Sequence, residues 1–259
     1  MCLVVLAWRV VPGYRLVLAG NRDELHARPS APLAWWPEPR LLAGRDLVAG
    51  GTWLGADPAG RFGVVTNFRG GPQPPAPRSR GRLITDFLTG PAGARDYLEQ
   101  LAAEPAAYAG FSLLVADRAE LAYYSNRDGA APRVLEPGFY GLSNASLDTP
   151  WPKLMRARQA LGAYLTARSG RPPEPAALAA LLAERSLAAD AALPDTGIGL
   201  ELERRLSAAF IVDPVYGTRC SSALLLTARA GSAYERSFDA VGTATGVRLV
   251  EFESAAGEA

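Results

Sequence analysis

Two apolar runs open the chain, Leu3-Val4-Val5-Leu6-Ala7-Trp8 and Leu16-Val17-Leu18-Ala19, with Pro12-Gly13-Tyr14 between them. Short apolar runs without helical spacing read as strands buried on both faces, and the Pro-Gly turn makes this pair a hairpin. Further strands are expected at residues 40–42, 52–56 and 62–66. Asp57-Pro58-Ala59-Gly60 joins the last two as a tight turn, since Pro presets φ and Gly accepts positive φ. Residues 70–77 are rich in Pro and Gly, which disfavours helix and central strand alike, so this stretch reads as an exposed loop of the kind that borders sites.

The period then becomes helical over residues 82–88 and 94–102, returns to strand over 111–116 and 121–125, and closes in the turn Asn126-Arg127-Asp128-Gly129. The clearest helix spans 151–167, where Leu154, Ala157, Leu161, Tyr164 and Leu165 share one face; Ser169-Gly170 and Pro172 end it. Shorter helices at 175–185 and 200–206 precede strands at 222–227, 233–238 and 247–252, and residues 254–259 read as a flexible tail. Strands, helices, strands, helices, strands is the order of a layered α+β protein with strands enough for two sheets. At this length, residues 1–259 are expected to form one domain.

Charge sharpens the picture mainly by exclusion. With 27 basic against 26 acidic side chains, no net field draws the chain to nucleic acid or an anionic membrane. Lys153 is the only Lys, a bias that reads as codon usage favouring Arg. Two cysteines, Cys2 and Cys220, allow one bridge at most, and the N-terminal apolar run is too short and too early broken by Arg9 to be a signal or a span. A reducing cytoplasmic setting follows, with no stable membrane insertion. His26 is the only His, so a His/Cys metal site is not expected, and neither a G-x-S-x-G elbow nor a Walker motif occurs. No metal and no cofactor are expected.

What remains is Cys2 and the polar clusters at strand ends. Removal of Met1 would make one residue both thiol and free α-amine, a nucleophile carrying its own base. Asn21-Arg22-Asp23-Glu24 follows the second strand, opposite the start of the chain if the hairpin pairs. There Arg22 is suited to hold the thiolate and Asp23 to orient the amine. Gly51-Thr52-Trp53-Leu54-Gly55 reads as a packing motif, a Trp between small residues, and Cys220 as an inert buried thiol.

Met1-Cys2, Gly20-Asn21-Arg22-Asp23-Glu24, Arg28-Pro29-Ser30, Gly51-Thr52-Trp53-Leu54-Gly55, Thr66-Asn67-Phe68, Gly141-Leu142-Ser143-Asn144, Thr149-Pro150-Trp151 and Tyr216-Gly217-Thr218-Arg219 resemble the NRDE family, which includes the transport and Golgi organisation homologues. That family is similar in turn to choloylglycine-type N-terminal-nucleophile hydrolases. The resemblance implies an αββα four-layer sandwich of antiparallel sheets, with cleavage of a non-peptide amide or acyl bond. It implies Cys2 as nucleophile and base, Asp23 as partner of the α-amine, Asn67 and Asn144 as oxyanion donors, and Arg219 as a second active-site Arg. The order Asn21-Arg22 reverses the Arg-then-Asn order of the choloylglycine enzymes, so Asn21 competes with Arg22 for one role and, with Phe68, becomes a candidate substrate contact. The expected ligand is an amphipathic small molecule. The alternative that the resemblance implies is a carrier or trafficking protein for lipid, acyl-coenzyme A or haem, for which the chain offers Cys2, His26, Cys220, Met1 and Met155 as axial ligands.

Overall fold

The computed structural model describes residues 2–70, 76–168 and 170–254; most of the expected tail at 254–259, most of the Pro-rich loop, Met1 and Ser169 lie outside them, whereas Ser254, expected in that tail, is buried and donates its backbone N–H to the Arg229 carbonyl. The N-terminal hairpin forms from β1 (Cys2–Val11) and β2 (Tyr14–Leu25), turning at Gly13 with φ 81°, a left-handed conformation that Gly adopts at little cost. Both strands are longer than the apolar runs. β2 does not end at Ala19 but continues through Asn21-Arg22-Asp23-Glu24, because partners on both sides and a helical layer behind it satisfy those polar side chains.

Seven strands then follow as an antiparallel meander: β3 (Ser30–Trp35), β4 (Leu42–Asp46), β5 (Leu54–Ala56), β6 (Phe62–Asn67), β7 (Phe111–Ala116), β8 (Leu121–Ser125) and β9 (Arg133–Leu135). β10 (Gly138–Leu142), β11 (Tyr216–Leu226), β12 (Ala230–Phe238) and β13 (Ala244–Glu253) join the hairpin in a second antiparallel sheet of order β10-β1-β2-β11-β12-β13. β3, β9 and β10 are edge strands with no clear apolar pattern of their own. Pro32 in β3 is tolerated because an edge strand leaves one row of backbone groups unpaired.

Helices α1 (Arg82–Thr89) and α2 (Ala94–Ala102) cover the outer face of the meander, and α3 (Pro152–Ala167) and α4 (Pro175–Ala180) cover the outer face of the six-stranded sheet. α4 stops at Ala180, short of the expected 185, and a short α5 (Leu200–Arg205) follows. The result is the αββα sandwich, in which strand alternation sorts the side chains into three apolar layers. Val4, Leu6, Trp8, Leu16 and Leu18 face the other sheet, whereas Leu3, Val5, Ala7, Val17 and Ala19 face α3 and α4. Each fully buried Leu or Val contributes roughly 1.5–3 kcal/mol.

Between the sheets, the Trp8 end is closed by apolar packing, with Trp8 and Phe62 rings 6.5 Å apart. The Cys2 end is open. Trp53 reaches across to β2, where a Cβ on Gly20 would meet its ring at 3.0 Å. A Cβ on Gly51 would lie 2.4 Å from the Gly81 backbone, so only glycine lets the β4–β5 connection rest on the start of α1. The packing role read from Gly51-Thr52-Trp53 therefore has a concrete form, a glycine contact on one side and a glycine slot on the other.

Candidate active site

At the open end lies a cleft of about 720 Å³ with Cys2 among its walls. Its position follows from register. Cys2 pairs with Arg22 on β2, and Arg22 pairs with Cys220 on β11, so the three share one face in a single row across the sheet. Both thiols are free, and two strand spacings separate them. The bridge that two cysteines allow is therefore out of reach.

Burial dominates the environment of the Cys2 thiol, and the positive charges of the chain's N-terminus and of Arg22 favour its thiolate. Burial outweighs those charges and, with the negative charge of Asp23, pushes the thiol above its ordinary range. A thiol held in its protonated form needs a base. Cys220 is likewise buried, and burial together with the neighbouring Glu235 carboxyl pushes it well up. The expectation of an inert thiol there agrees with this, although it lines the same cleft.

Strand alternation sends the Asp23 side chain to the other face of β2, under the helices. It is 1% exposed, and its Oδ1 accepts the Thr218 hydroxyl at 2.7 Å, which in turn accepts the Ile211 N–H. Burial raises its pKa against the opposing charges of Lys153 and Arg69 and the Thr218 hydrogen bond. Tyr216 donates to the Asp23 carbonyl at 2.9 Å. Thr218 and Tyr216 stand in the motif Tyr216-Gly217-Thr218-Arg219, but sequence alone singled out only Arg219.

Lys153 is the group that sequence reasoning passed over. It enters from the first turn of α3, is 2% exposed, and donates to the Leu206 carbonyl at 2.9 Å. Burial lowers its pKa to about 8, with the Arg69 charge adding to the effect. Arg69 is itself buried, pairs with Glu203 at 2.6 Å and stacks over Trp151 at 4.5 Å. The signal was present in the sequence: one Lys among 26 Arg, two residues past the capping Trp151, on the side of the helix that carries Leu154 and Ala157.

The remaining candidates divide. Asn67, at the end of β6, lines the cleft, and Asn144 is fully buried beside it, donating to the Asn67 carbonyl at 2.9 Å. Ser143 donates to the Cys2 carbonyl at 3.3 Å, so the ends of β1, β6 and β10 are stitched together. Arg219 lines the cleft, but one of its nitrogens donates to the carbonyls of Leu25, His26 and Arg28, which makes it a clamp on the turn after β2. Asn21 is not a cleft residue. It points under the helices, donates to the Leu182 and Ala209 carbonyls and accepts the Ser221 hydroxyl, so it does not occupy the space of Arg22. Phe68 does not line the cleft either; its backbone N–H donates to Gly110.

The cleft is lined by seven arginines and four acidic residues. Arg28 is neutralised by Asp46 at 2.7 Å and Arg22 lies 3.7 Å from Glu24, whereas Arg80, close enough to Cys2 and Glu24 to feel their charge, donates to the Gly110 carbonyl and makes no ion pair among the described residues. Trp53, Val65 and Phe238 supply apolar wall. Among the described residues no three of His, Cys, Asp and Glu gather as a metal site. Of the haem-ligand candidates, His26 bonds to the Asp213 carbonyl, Met155 is exposed on α3, and Met1 lies outside the described residues. No helix among the described residues is long and apolar enough to cross a membrane.

The family model described as Transport and Golgi organisation 2 matches residues 1–240. The chain is 35% identical over 248 residues to the mouse Transport and Golgi organization 2 homolog, spanning 88% of this chain and 89% of the relative, and 36% identical to the human protein over the same spans. The Drosophila melanogaster protein is 28% identical over 60% of each chain. Among solved structures, the Caenorhabditis elegans N-acylethanolamine-hydrolyzing acid amidase ortholog is similar in fold, with a TM-score of 0.52 and 12% identity over 86% of this chain and 92% of its own.

Proposed function

The chain belongs to the transport and Golgi organisation 2 family, and from that premise we propose that it is a hydrolase in which an N-terminal Cys2 cleaves a non-peptide amide or acyl bond of an amphipathic small molecule. The observation that carries this reading is a thiol at the first residue of an interior strand, facing a cleft of about 720 Å³ beside the charge of Arg22. The residue 1–259 chain acts as one domain in a reducing, cytoplasmic setting, where the thiol stays free.

Removal of Met1 gives Cys2 a free α-amine. The amine takes the thiol proton, the sulfur attacks the carbonyl carbon, and the carbonyl electrons move to oxygen. Asn67, which lines the cleft, donates a hydrogen bond to that oxyanion, and Asn144 supports it from behind through the Asn67 carbonyl. Collapse expels the leaving group, which takes the proton from the ammonium and leaves a thioester on Cys2. Water, deprotonated by the same amine, then releases the acid and restores the thiol. Asp23 holds the amine in place. The acyl part of the substrate lies on Trp53, Val65 and Phe238, and an anionic group on the same molecule meets Arg80 and Arg22. This differs from the N-acylethanolamines named for the nematode amidase, which carry no charge.

Mass spectrometry of the purified protein is expected to show Met1 removed, and a panel of acyl amides to be turned over by the native chain. Cys2→Ala should reduce turnover to the buffer rate. Activity that survives Cys2→Ala, or that persists in protein retaining Met1, refutes the mechanism. A second reading has one observation in its favour, the burial that keeps the Cys2 thiol protonated. In that reading the cleft carries a lipid, an acyl-coenzyme A or haem without turnover. Ligand affinity unchanged in Cys2→Ala, with no hydrolysis in native protein, supports it; haem spectra unchanged in both Cys2→Ala and His26→Ala remove haem ligation by either residue.

A further inference from the structure

Cys2 and Asn67 belong to different sheets. The first opens β1 of the six-stranded sheet and the second ends β6 of the meander, so the gap that a substrate carbonyl must fit depends on what joins the two sheets at the open end. The segment 143–148, between β10 and α3, makes that join. Ser143 donates to the Cys2 carbonyl at 3.3 Å, Asn144 donates to the Asn67 carbonyl at 2.9 Å, and the Asn144 carbonyl accepts the Arg69 N–H at 2.6 Å. Further along, the Ala145 carbonyl accepts the Ser112 hydroxyl of β7 at 2.9 Å, and the Leu147 N–H donates to the Tyr123 phenol of β8 at 3.1 Å. One loop thus grips β1 in one sheet and β6, β7 and β8 in the other.

Asp148 closes this loop. Its N–H donates to the Gly141 carbonyl at 2.8 Å while its Oδ1 accepts the Gly141 N–H at 2.7 Å, a two-bond clasp across the ends of the loop. Arg158 of α3 donates to the same oxygen at 2.9 Å. The backbone at Asp148 is left-handed, with φ 59°, a conformation that costs most side chains and that Asp and Asn accept more readily. Gly141 has no room for a side chain, since a Cβ there would lie 2.7 Å from Leu154 of α3. The clasp is therefore seated directly on the helix.

We propose that Asp148 is a positioning residue of the site, its clasp on Gly141 fixing the loop that holds Asn67 at its working distance from Cys2. This rests on the hydrolase reading and adds a residue to it. Asp148 does not line the cleft and acts through Ser143 and Asn144. The leverage is large, because a misplacement of about 1 Å between reacting groups costs on the order of a hundredfold in rate.

The test compares two variants of the full-length protein with Met1 removed. Asp148→Gly keeps the backbone conformation and loses the carboxylate; Asp148→Asn keeps the conformation and an oxygen for the Gly141 N–H. Asp148→Gly should lose about a hundredfold in kcat with KM held within about threefold, and Asp148→Asn should regain most of that loss. A residue that only stabilises the fold would lower the melting temperature and leave kcat of the folded molecules unchanged. An Asn variant as slow as the Gly variant, or a change in KM alone, overturns the proposal. The pH midpoint of iodoacetamide alkylation at Cys2 is read on the N-terminal peptide by mass spectrometry, so that Cys220 does not contribute. It should stay at its native value in both variants, because the clasp sets a distance; a shifted midpoint overturns the proposal.

Hydrogen exchange supplies a readout that needs no substrate. The Arg69 amide, which rests on the Asn144 carbonyl, should exchange about tenfold faster in Asp148→Gly and at the native rate in Asp148→Asn. If Asp148→Gly does not fold, Arg158→Met, which frees the half-buried carboxylate from α3, should speed the same amide about threefold. An unmoved amide overturns the proposal. A native chain that turns over no substrate sinks the hydrolase reading alone, since the exchange result stands without it. An active chain whose Asp148→Gly variant keeps its kcat sinks this inference alone.

Discussion

The two faces of β2 meet different surroundings. Arg22 and Glu24 face the cleft, whereas the side chains of Asn21 and Asp23, one residue away along the strand, are buried on the helix side, Asn21 on the Leu182 and Ala209 carbonyls and Asp23 on the Thr218 hydroxyl. The alternation of a strand makes this division with no added structure. The buried charges on the helix side lie one sheet thickness from the cleft, in a low-dielectric layer where charges act strongly.

That contrast can be tested from the back face first. Asp23→Asn is expected to cut turnover by about ten-thousandfold, on the scale set by losing an orienting carboxylate. The same substitution removes a negative charge beside Cys2 and should lower the alkylation midpoint of its thiol. Faster alkylation with slower turnover separates the two faces; a parallel fall in both would merge them. Asn21→Ala should instead cost about 3 kcal/mol in urea unfolding, since three buried hydrogen bonds lose their partner. Cleft alkylation in the molecules that remain folded should be unchanged, and a large change in it would make Asn21 a site residue after all.

On the front face, Arg80→Gln is expected to raise KM about tenfold for an anionic substrate and to leave a neutral analogue untouched. Equal effects on both analogues would remove the charge argument. A further expected effect is a stability difference. Lys153 has its folded pKa lowered from 10.5 to about 8, so the folded state sheds a proton that the unfolded chain still holds between those values. Stability of the native chain relative to Lys153→Met therefore rises with pH across about 8 to 10.5 and is flat below 8, which denaturant midpoints at pH 7, 9 and 10.5 would show.

Much of this division was legible in the sequence. The apolar runs placed the hairpin, α2, β7 and β8 fell on their expected spans, and the turn at Asp57-Pro58-Ala59-Gly60 forms as its chemistry demands. The strand face of each polar residue was not legible. Asn21 and Arg22 exchange faces with a one-residue shift, and only the continuation of β2 to Leu25 fixes which one meets the cleft. Edge strands β3, β9 and β10 lacked a pattern because pairing on one side demands little from the sequence. Lys153 was visible but discounted, since a rare residue in a biased composition carries no information until its burial is known.

The single row Cys2–Arg22–Cys220 has one further consequence. Two strand spacings of about 4.8 Å put the thiols near 10 Å apart, beyond the reach of a disulfide. An oxidant that converts Cys2 to a sulfenic acid therefore finds no resolving cysteine within the chain. Repair falls to a small external thiol entering by the cleft, and in a cell short of glutathione that damage would go on to the irreversible sulfinic stage.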